Sequence, residues 1–397
     1  MKNFALSIAG LLFLLLSHAS EQQTPRVFAL ELKSLEKNKG RVNAKDPAII
    51  PAYKALIKEA TKALDFGPVS VMEKRNTPPS GSRHDYMSLA PYHWPDPSKP
   101  NGLPYMRKDG QTNPEVLEYK DKEYMPKLCE AVYTLGLAYY FSGDKGYAEH
   151  AAKLVRVWFL DTATRMNPNL NFAQAIKGIN TGRGAGLIDS RHFIKLIDGI
   201  GLLQGSKYWT AIDQQSMQHW FSEFLTWMQT SEIGKDEMNA PNNHGAWYDA
   251  QRLALALYIG NNELAKSIIL NARERLDKQM DNDGRFPKEM ERTISLHYTA
   301  FVMNAFFNIA SMASNLGMEE WKYTSPSGKS LKKGFDRLLP YITGEKEWDG
   351  QQIKPFEVED SYPLLAQGWR LGCKKCKEAI KTLADDKAER LRINLLN

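Results

Sequence analysis

Apolar residues recur at helical spacing through most of the chain, and this periodicity constrains the fold more than any other feature. In the segment 263–280, Leu264, Ile268 and Leu276 share one face, while Glu263 and Lys266 lie off it. Similar patterns cover residues 51–66, 115–141, 147–160, 190–203, 209–229, 244–259, 296–316, 329–341, 362–371 and 375–391. Glycine-containing turns separate several of them, and no convincing β alternation occurs. The sequence therefore predicts an all-α chain of helical hairpins.

No fixed-length repeat accompanies this periodicity, which argues against the common solenoid families. We therefore predict an (α/α) toroid or barrel with a cleft along its axis. An open helical array is the alternative. We assign residues 20–397 to a single domain, since a chain of this length can bury a large core.

The first 19 residues have the pattern of a secretory signal peptide. Lys2 precedes the apolar run 4–16, and Ser17-His18-Ala19 forms a small-residue cleavage site. That run is shorter than the ~20 residues needed to cross a bilayer, so we predict no membrane insertion. The sequence thus predicts an exported protein, periplasmic or secreted, and we expect a monomer.

The formal net charge of +6 at pH 7 suits an acidic ligand. Lysine and arginine are spread among the acidic residues, so we predict no nucleic-acid partner. The three cysteines cannot all pair within one chain. Cys373 and Cys376 could be redox-active, half a metal site or structural, and we favour a structural role. No ligand cluster indicates a catalytic metal, and no cofactor is predicted.

Residues 67–114 interrupt the helical pattern, and we name this segment the lid loop. Its many prolines and glycines leave no regular element predicted there. A long loop in a compact protein is usually functional or disordered, and aromatic rings alternating with arginines favour function. Such rings stack on sugars, and arginines pair with carboxylates, so an acidic glycan is the expected ligand. The binding candidates in the loop are Arg83, Tyr86, His93, Trp94 and Arg107.

The stretch 241–251 places polar groups where a loop becomes a helix. Asn243 is the expected N-cap, and the helix start is an anion-binding site to which His244 adds a donor. Farther along, Arg292 and Tyr298 offer a guanidinium and a phenol. We predict that the two stretches form one acid–base site without a metal. The alternative for Asn243 and His244 is a purely structural role, as a helix cap and as a surface or core histidine.

Three further residues are predicted to bind substrate near this site: Arg191, Trp247 and His297. For glycoside hydrolysis, Asp249, Glu289 and Glu291 are the candidate carboxylates, and none stands in a distinctive context. Hydrolysis therefore remains open but weakly supported.

These residues resemble the helical alginate lyases, polysaccharide lyase family five and above all family thirty-eight. The resemblance rests on Asn243-His244, on Arg292 followed by Tyr298, and on the lid-loop motif DYMSLAPYHWPDP at 85–97. It implies an (α/α) barrel that breaks 4-linked uronic-acid chains by β-elimination. It also implies that Asn243, His244 and Arg292 neutralise the substrate carboxylate, while Tyr298 removes the C5 proton and protonates the leaving oxygen.

Tyrosine needs a lowered pKa to act as a base, and we expect a nearby arginine or protonated histidine to lower it. Tyr298 can serve as both base and acid on mannuronate, where both protons move on one side. On guluronate the C5 proton lies opposite, so we predict His244 as the base there. The competing functions are a lyase for another polyuronate, such as glucuronan, and a non-catalytic exported glycan-binding protein.

Overall fold

The computed structural model describes residues 24–397, and this part of the chain is predominantly helical. The helices are α1 Leu32–Asn43, α2 Ile50–Ala63, α3 Lys120–Ser142, α4 Lys145–Val155, α5 Phe193–Gly201, α6 Ala211–Thr230, α7 Glu232–Met238, α8 Asn243–Ile259, α9 Asn262–Gln279, α10 Pro287–Met290, α11 Ser295–Ala313, α12 Leu331–Ile342, α13 Tyr362–Gln367, α14 Cys376–Ala384 and α15 Ile393–Leu396. The predicted signal peptide lies outside the described residues.

The helices form the two layers of an (α/α) toroid, which confirms the predicted fold class. Helices α3, α5, α8 and α11 pack side by side as the inner layer. Helices α2, α4, α6, α9 and α12 pack against them from outside. Almost every residue of α8 is buried, because this helix has neighbours on all sides. The inner layer thus provides a rigid base for side chains at the helix ends.

The sequence analysis missed four helices, of which α10 and α15 have only four residues each. Helix α1 buries only Leu35, Asn38 and Val42, so its apolar stripe is too thin to recognise among charged residues. Helix α7 has seven residues, which is less than two full periods of the pattern. No helix in the described residues is long and apolar enough to cross a membrane. Cys373 and Cys376 form a disulfide, while Cys129 is free and buried.

The prediction that the lid loop lacks regular structure was wrong in detail. It contains three short strands, β1 Met87–Leu89, β2 His93–Trp94 and β3 Met106–Arg107. Strand β1 pairs in parallel with β4 Phe172–Ala175, and β2 pairs antiparallel with β3. These pairs are too short to show alternation in the sequence, but they fix the loop's path over the helices.

Candidate active site

A cavity of about 660 Å³ lies where the lid loop covers the ends of the inner helices, and we name it the main cavity because it holds most of the predicted site residues. Eight of the twelve predicted site residues line it: His93, Arg107, Arg191, Asn243, His244, Arg292, His297 and Tyr298. The lining combines residues far apart in sequence, from the lid loop, the start of α8 and the start of α11. The structure therefore joins the two predicted stretches in one site.

Asn243 is the first residue of α8, and the predicted N-cap was displaced by one position. Asn242 caps the helix by accepting from the backbone N–H of His244 at 3.2 Å. Asn243 is instead fully buried and donates to Glu289 from its backbone N–H at 2.6 Å and from Nδ2 at 2.8 Å. One hydrogen of its amide is thus committed within the protein, and the second remains for a ligand.

His244 forms a pair with Glu237, a residue that the sequence analysis did not identify. Its Nδ1 lies 2.7 Å from Oε1 of Glu237, whose side chain is almost fully buried in α7. A carboxylate only accepts hydrogen bonds, so this contact places a proton on Nδ1. In the neutral ring, Nε2 is then the basic nitrogen, and the carboxylate fixes the orientation of the imidazole.

Arg292 is held by a carboxylate from the lid loop. Its Nε lies 3.1 Å from both oxygens of Asp109, and its Nη2 lies 2.7 Å from Oδ1. The same carboxylate accepts from the backbone N–H and hydroxyl of Thr293, each at 3.1 Å. Burial alone would raise the pKa of Asp109, but the hydrogen bonds from Arg292 and Thr293 hold it well below its usual range. Asp109 therefore fastens the lid loop to the start of α11.

Tyr298 is buried, and its hydroxyl donates to the hydroxyl of Tyr92 at 2.8 Å. The guanidinium carbon of Arg292 lies 3.6 Å from the centre of the Tyr298 ring. The prediction that the pKa of the Tyr298 phenol is lowered was wrong for the protein without substrate. Burial raises the pKa of Tyr298 above its usual range, Tyr92 adds to the rise, and Arg292 only partly opposes it.

The lid-loop hairpin contributes His93 and Arg107, which face each other across strands β2 and β3. Burial, together with the nearby positive charges of Arg183 and Arg107, lowers the pKa of His93 to about 4. This imidazole is therefore neutral at pH 7. On the opposite wall, His297 places Nδ1 3.0 Å from Asp360.

Four predicted substrate contacts do not line the main cavity. Tyr86 is fully buried and donates to Asp189 at 3.0 Å, so it is a core residue. Trp247 is buried against Phe301, with ring centres 5.0 Å apart. The other two lie in the lid loop but face elsewhere: Trp94 donates to the carbonyl of Gln111, and Arg83 to that of Lys74. In the sequence, the aromatic or basic side chains of these four residues look the same as those of the residues that do line the cavity.

Several lining residues were missed by the sequence analysis: Tyr92, Lys122, Gln174, Arg183, Glu237 and Asp360. Tyr92 lies inside the quoted lid-loop motif, next to His93, and could have been identified from that position. The others belong to separate elements and carried no local signal. With Arg107, Arg191 and Arg292, the added Lys122 and Arg183 give the lining five permanent cations. Three carboxylates, Asp236, Glu237 and Asp360, also line the cavity, so the lining keeps a positive excess, which favours a polyanionic ligand.

The site combines three chemical capabilities. Arg292, the amide of Asn243 and, when its ring is protonated, Nε2 of His244 can donate hydrogen bonds to a carboxylate. Tyr298 offers a hydroxyl that can exchange a proton, and Nε2 of His244 offers a second base. No group of three or more histidine, cysteine, aspartate or glutamate residues suited to a metal ion occurs in residues 24–397.

The comparisons with known proteins agree with this geometry. The family described as alginate lyase matches residues 70–348. A crystal structure of an alginate lyase from Bacteroides ovatus is 42% identical, with a TM-score of 0.88, over 94% of this chain and 99% of that one. No curated protein matches the chain.

Alginate lyase A1-III from a Sphingomonas species shares the fold at 16% identity, with a TM-score of 0.53 over 86% of this chain and 93% of that one. A histidine-to-alanine variant of alginate lyase A1-III complexed with tetrasaccharide has a TM-score of 0.59 at 15% identity, over 91% of this chain and 93% of that one.

Proposed function

Because the chain belongs to the alginate lyase family, we propose that it is a polysaccharide lyase that cleaves alginate by β-elimination in the main cavity. One observation carries the assignment to this cavity. The phenol of Tyr298, the guanidinium of Arg292 and the imidazole of His244 all line the same space. These are the groups that elimination beside a carboxylate requires.

In the proposed reaction, a base removes the proton from C5 of the uronate. The electron pair forms a double bond between C4 and C5, and the bond from C4 to the glycosidic oxygen breaks. That oxygen takes up a proton and becomes a hydroxyl group. The second product carries an unsaturated uronate at its new non-reducing end, which absorbs ultraviolet light.

Neutralisation of the substrate carboxylate is the larger part of catalysis in this proposal. General base catalysis contributes ~10²–10⁴-fold. Each preorganised donor aimed at developing charge contributes a further ~10²–10³-fold. Arg292 and His244 are preorganised by Asp109 and Glu237, respectively, so neither group must be reoriented during the reaction.

On mannuronate linkages, Tyr298 serves as base and then as acid, because both protons move on the same side of the sugar. Its raised pKa keeps the hydroxyl protonated in the free protein, so Tyr298 must first release that proton before it can take up the C5 proton and pass it to the leaving oxygen. Binding of the substrate displaces water, and neutralisation lowers the pKa of the C5 proton toward that of the phenol. The close approach of Arg292 stabilises the phenolate when it forms.

On guluronate linkages, His244 removes the C5 proton through Nε2 and Tyr298 acts as the acid. The contact between Nδ1 and Glu237 supports this role, since it leaves Nε2 unprotonated in the neutral ring and stabilises the imidazolium that forms. We expect His244→Ala to reduce cleavage of guluronate-rich polymer at least as much as that of mannuronate-rich polymer. A larger loss on mannuronate would contradict the divided roles.

We propose that the reaction is independent of metal ions, since Arg107, Arg183, Arg191, Arg292 and Lys122 supply positive charge around the cavity. Dialysis against a chelator should leave the rate of alginate cleavage unchanged. A loss that added divalent cation restores would contradict the proposal.

We also propose that the protein belongs to polysaccharide lyase family thirty-eight. It would have a single catalytic domain at 20–397, act as a monomer and be exported after cleavage of residues 1–19. The disulfide between Cys373 and Cys376 supports an oxidising compartment such as the periplasm. Mass spectrometry of the protein from the periplasmic fraction would show a mature chain starting at Ser20, and an uncleaved cytosolic chain would contradict export.

The substrate proposal is tested by incubating the protein with polymannuronate, polyguluronate and glucuronan and following ultraviolet absorbance. We expect unsaturated products from one or both alginate polymers. Cleavage of glucuronan alone would favour the other polyuronate, and products without the double bond would indicate hydrolysis.

A further inference from the structure

A second cavity of about 380 Å³ lies behind the active-site wall, between α8 and α9, and we name it the rear cavity. Residues Asn239, Ala240 and Pro241 line both cavities and form the wall between them. The charged and amide residues of its lining that matter here are Asp249, Arg252, Glu274, Arg275, Lys278 and Gln279. None of these has a role in the proposed elimination.

Arg252 is the unusual member of this lining. It is only 7% exposed, yet it makes no hydrogen bond to any residue in the described part of the chain, and its Nε is buried without a partner. The nearest carboxylate oxygen, Oδ1 of Asp249, is 4.0 Å away. The ring of Tyr248 lies 5.3 Å from the guanidinium carbon and partly stabilises the buried positive charge. Of its five donors, the N–H of Nε is enclosed without an acceptor, and the Nη groups, which make no hydrogen bond within residues 24–397, can donate into the cavity.

Gln279 adds an unpaired acceptor to the same cavity. Its Nε2 donates to the carbonyl of Asn242 at 2.9 Å, while its Oε1 is buried without a partner among the described residues. The charged groups around the cavity are the cations Arg252, Arg275 and Lys278 and the anions Asp249 and Glu274. Arg275 is already bonded to Asp249 and to two backbone carbonyls. The unpaired donor is therefore Arg252, and the lining has an excess of positive charge.

We propose that the rear cavity binds a small oxyanion that also carries a hydroxyl group. The oxyanion accepts from the guanidinium of Arg252, and the hydroxyl donates to Oε1 of Gln279. Lys278 lies at the rim and attracts the anion. Uronate monosaccharides and hydrogen phosphate share this chemistry, and a cavity of this volume accommodates a ligand of that size.

The bound anion would lie against the back of the wall that carries the active-site residues. Arg275 donates to the carbonyls of Met238 at 2.8 Å and Ala240 at 3.1 Å, and Gln279 holds that of Asn242. These three positions lie between Glu237 and Asn243 in the chain. The rear cavity is thus separate from the main cavity, but the same backbone segment forms a wall of both.

The test is isothermal titration calorimetry of the full-length protein with inorganic phosphate and, separately, with mannuronate monosaccharide at constant ionic strength. We expect the wild type to show one binding event whose affinity is at least about tenfold weaker in Arg252→Gln. Tighter binding of mannuronate would identify a uronate ligand, and tighter binding of phosphate would identify hydrogen phosphate. Both outcomes support the site.

A pair of lysine variants keeps the test valid if Arg252→Gln does not fold. Lys278 and Lys322 are each 77% exposed, and each pairs with a glutamate on its own surface segment, but only Lys278 lines the rear cavity. Lys278→Gln should weaken the same binding event, and Lys322→Gln should leave it unchanged. Equal stoichiometry and affinity in the wild type and in the folded Arg252 and Lys278 variants would overturn the proposal. The titration needs no turnover, so failure to cleave alginate would not affect it.

Discussion

The contact between Asp109 and Arg292 offers the sharpest test of how the lid loop contributes to the active site. Replacing Asp109 with asparagine keeps the shape of the side chain but removes its charge. Five donors now meet this carboxylate, from Arg292, Thr293 and Arg107. An asparagine can retain one or two of them through its remaining oxygen, and its NH₂ group repels the rest.

The expected magnitudes follow from this geometry. The side chains of Asp109 and Arg292 are 18% and 12% exposed, so the pair is largely shielded from water. Breaking a shielded charge pair of this kind costs about 2–4 kcal/mol of unfolding free energy. A guanidinium displaced by about 1 Å loses up to about 10²-fold in rate, so kcat/KM on alginate should fall by about 10- to 100-fold.

Urea unfolding and initial rates of unsaturated-product formation measure the two effects. Asp96→Asn is the matched control, because Asp96 lies in the same loop and its side chain accepts, within residues 24–397, only from Ser98 two positions farther along. If Asp109→Asn matched this control in both stability and kcat/KM, the carboxylate would not position Arg292, and the reasoning would be refuted.

Three further predictions follow from other contacts. Glu237→Gln should lower kcat/KM by about tenfold or more, and the loss should be larger on guluronate, where the imidazolium of His244 forms; an equal loss on both polymers would contradict that role. Tyr86→Phe should cost about 1–3 kcal/mol in urea unfolding without changing KM, since Asp189 loses a buried donor; a raised KM would place Tyr86 in the substrate site. Because the folded pKa of His93 lies below its unfolded value, its protonation opposes folding as pH falls, and after allowance for solvent screening wild type should lose about 1 kcal/mol more than His93→Gln between about pH 7 and pH 5; equal losses would show that His93 titrates normally.

The sequence was informative where a feature is local. Helical periodicity predicted α9 almost to the residue, because its apolar face repeats over five turns. It missed α7, which is too short to repeat. The change from loop to helix at 242–243 was also predictable, since asparagine caps helices, although two consecutive asparagines left the capping residue ambiguous.

The partners of the site residues could not be predicted in this way. Asp109 lies 183 positions before Arg292, and no property of either residue indicates the other. Glu237 is one acidic residue among many, and only the fold of α7 against α8 brings it to His244. Burial is likewise a property of the whole fold, which explains why Tyr86 and Trp247 were mistaken for ligand-binding rings and why the pKa of Tyr298 was expected to fall.

The central claim is that one phenol transfers the proton during cleavage of alginate, and Tyr298→Phe tests it most directly. This change removes only the hydroxyl that contacts Tyr92 and preserves the ring beneath Arg292. Steady-state rates on polymannuronate, with near-identical unfolding curves as evidence of an intact fold, should show kcat reduced by about 10²–10⁴-fold. Near wild-type formation of the unsaturated product by the folded variant would contradict the account.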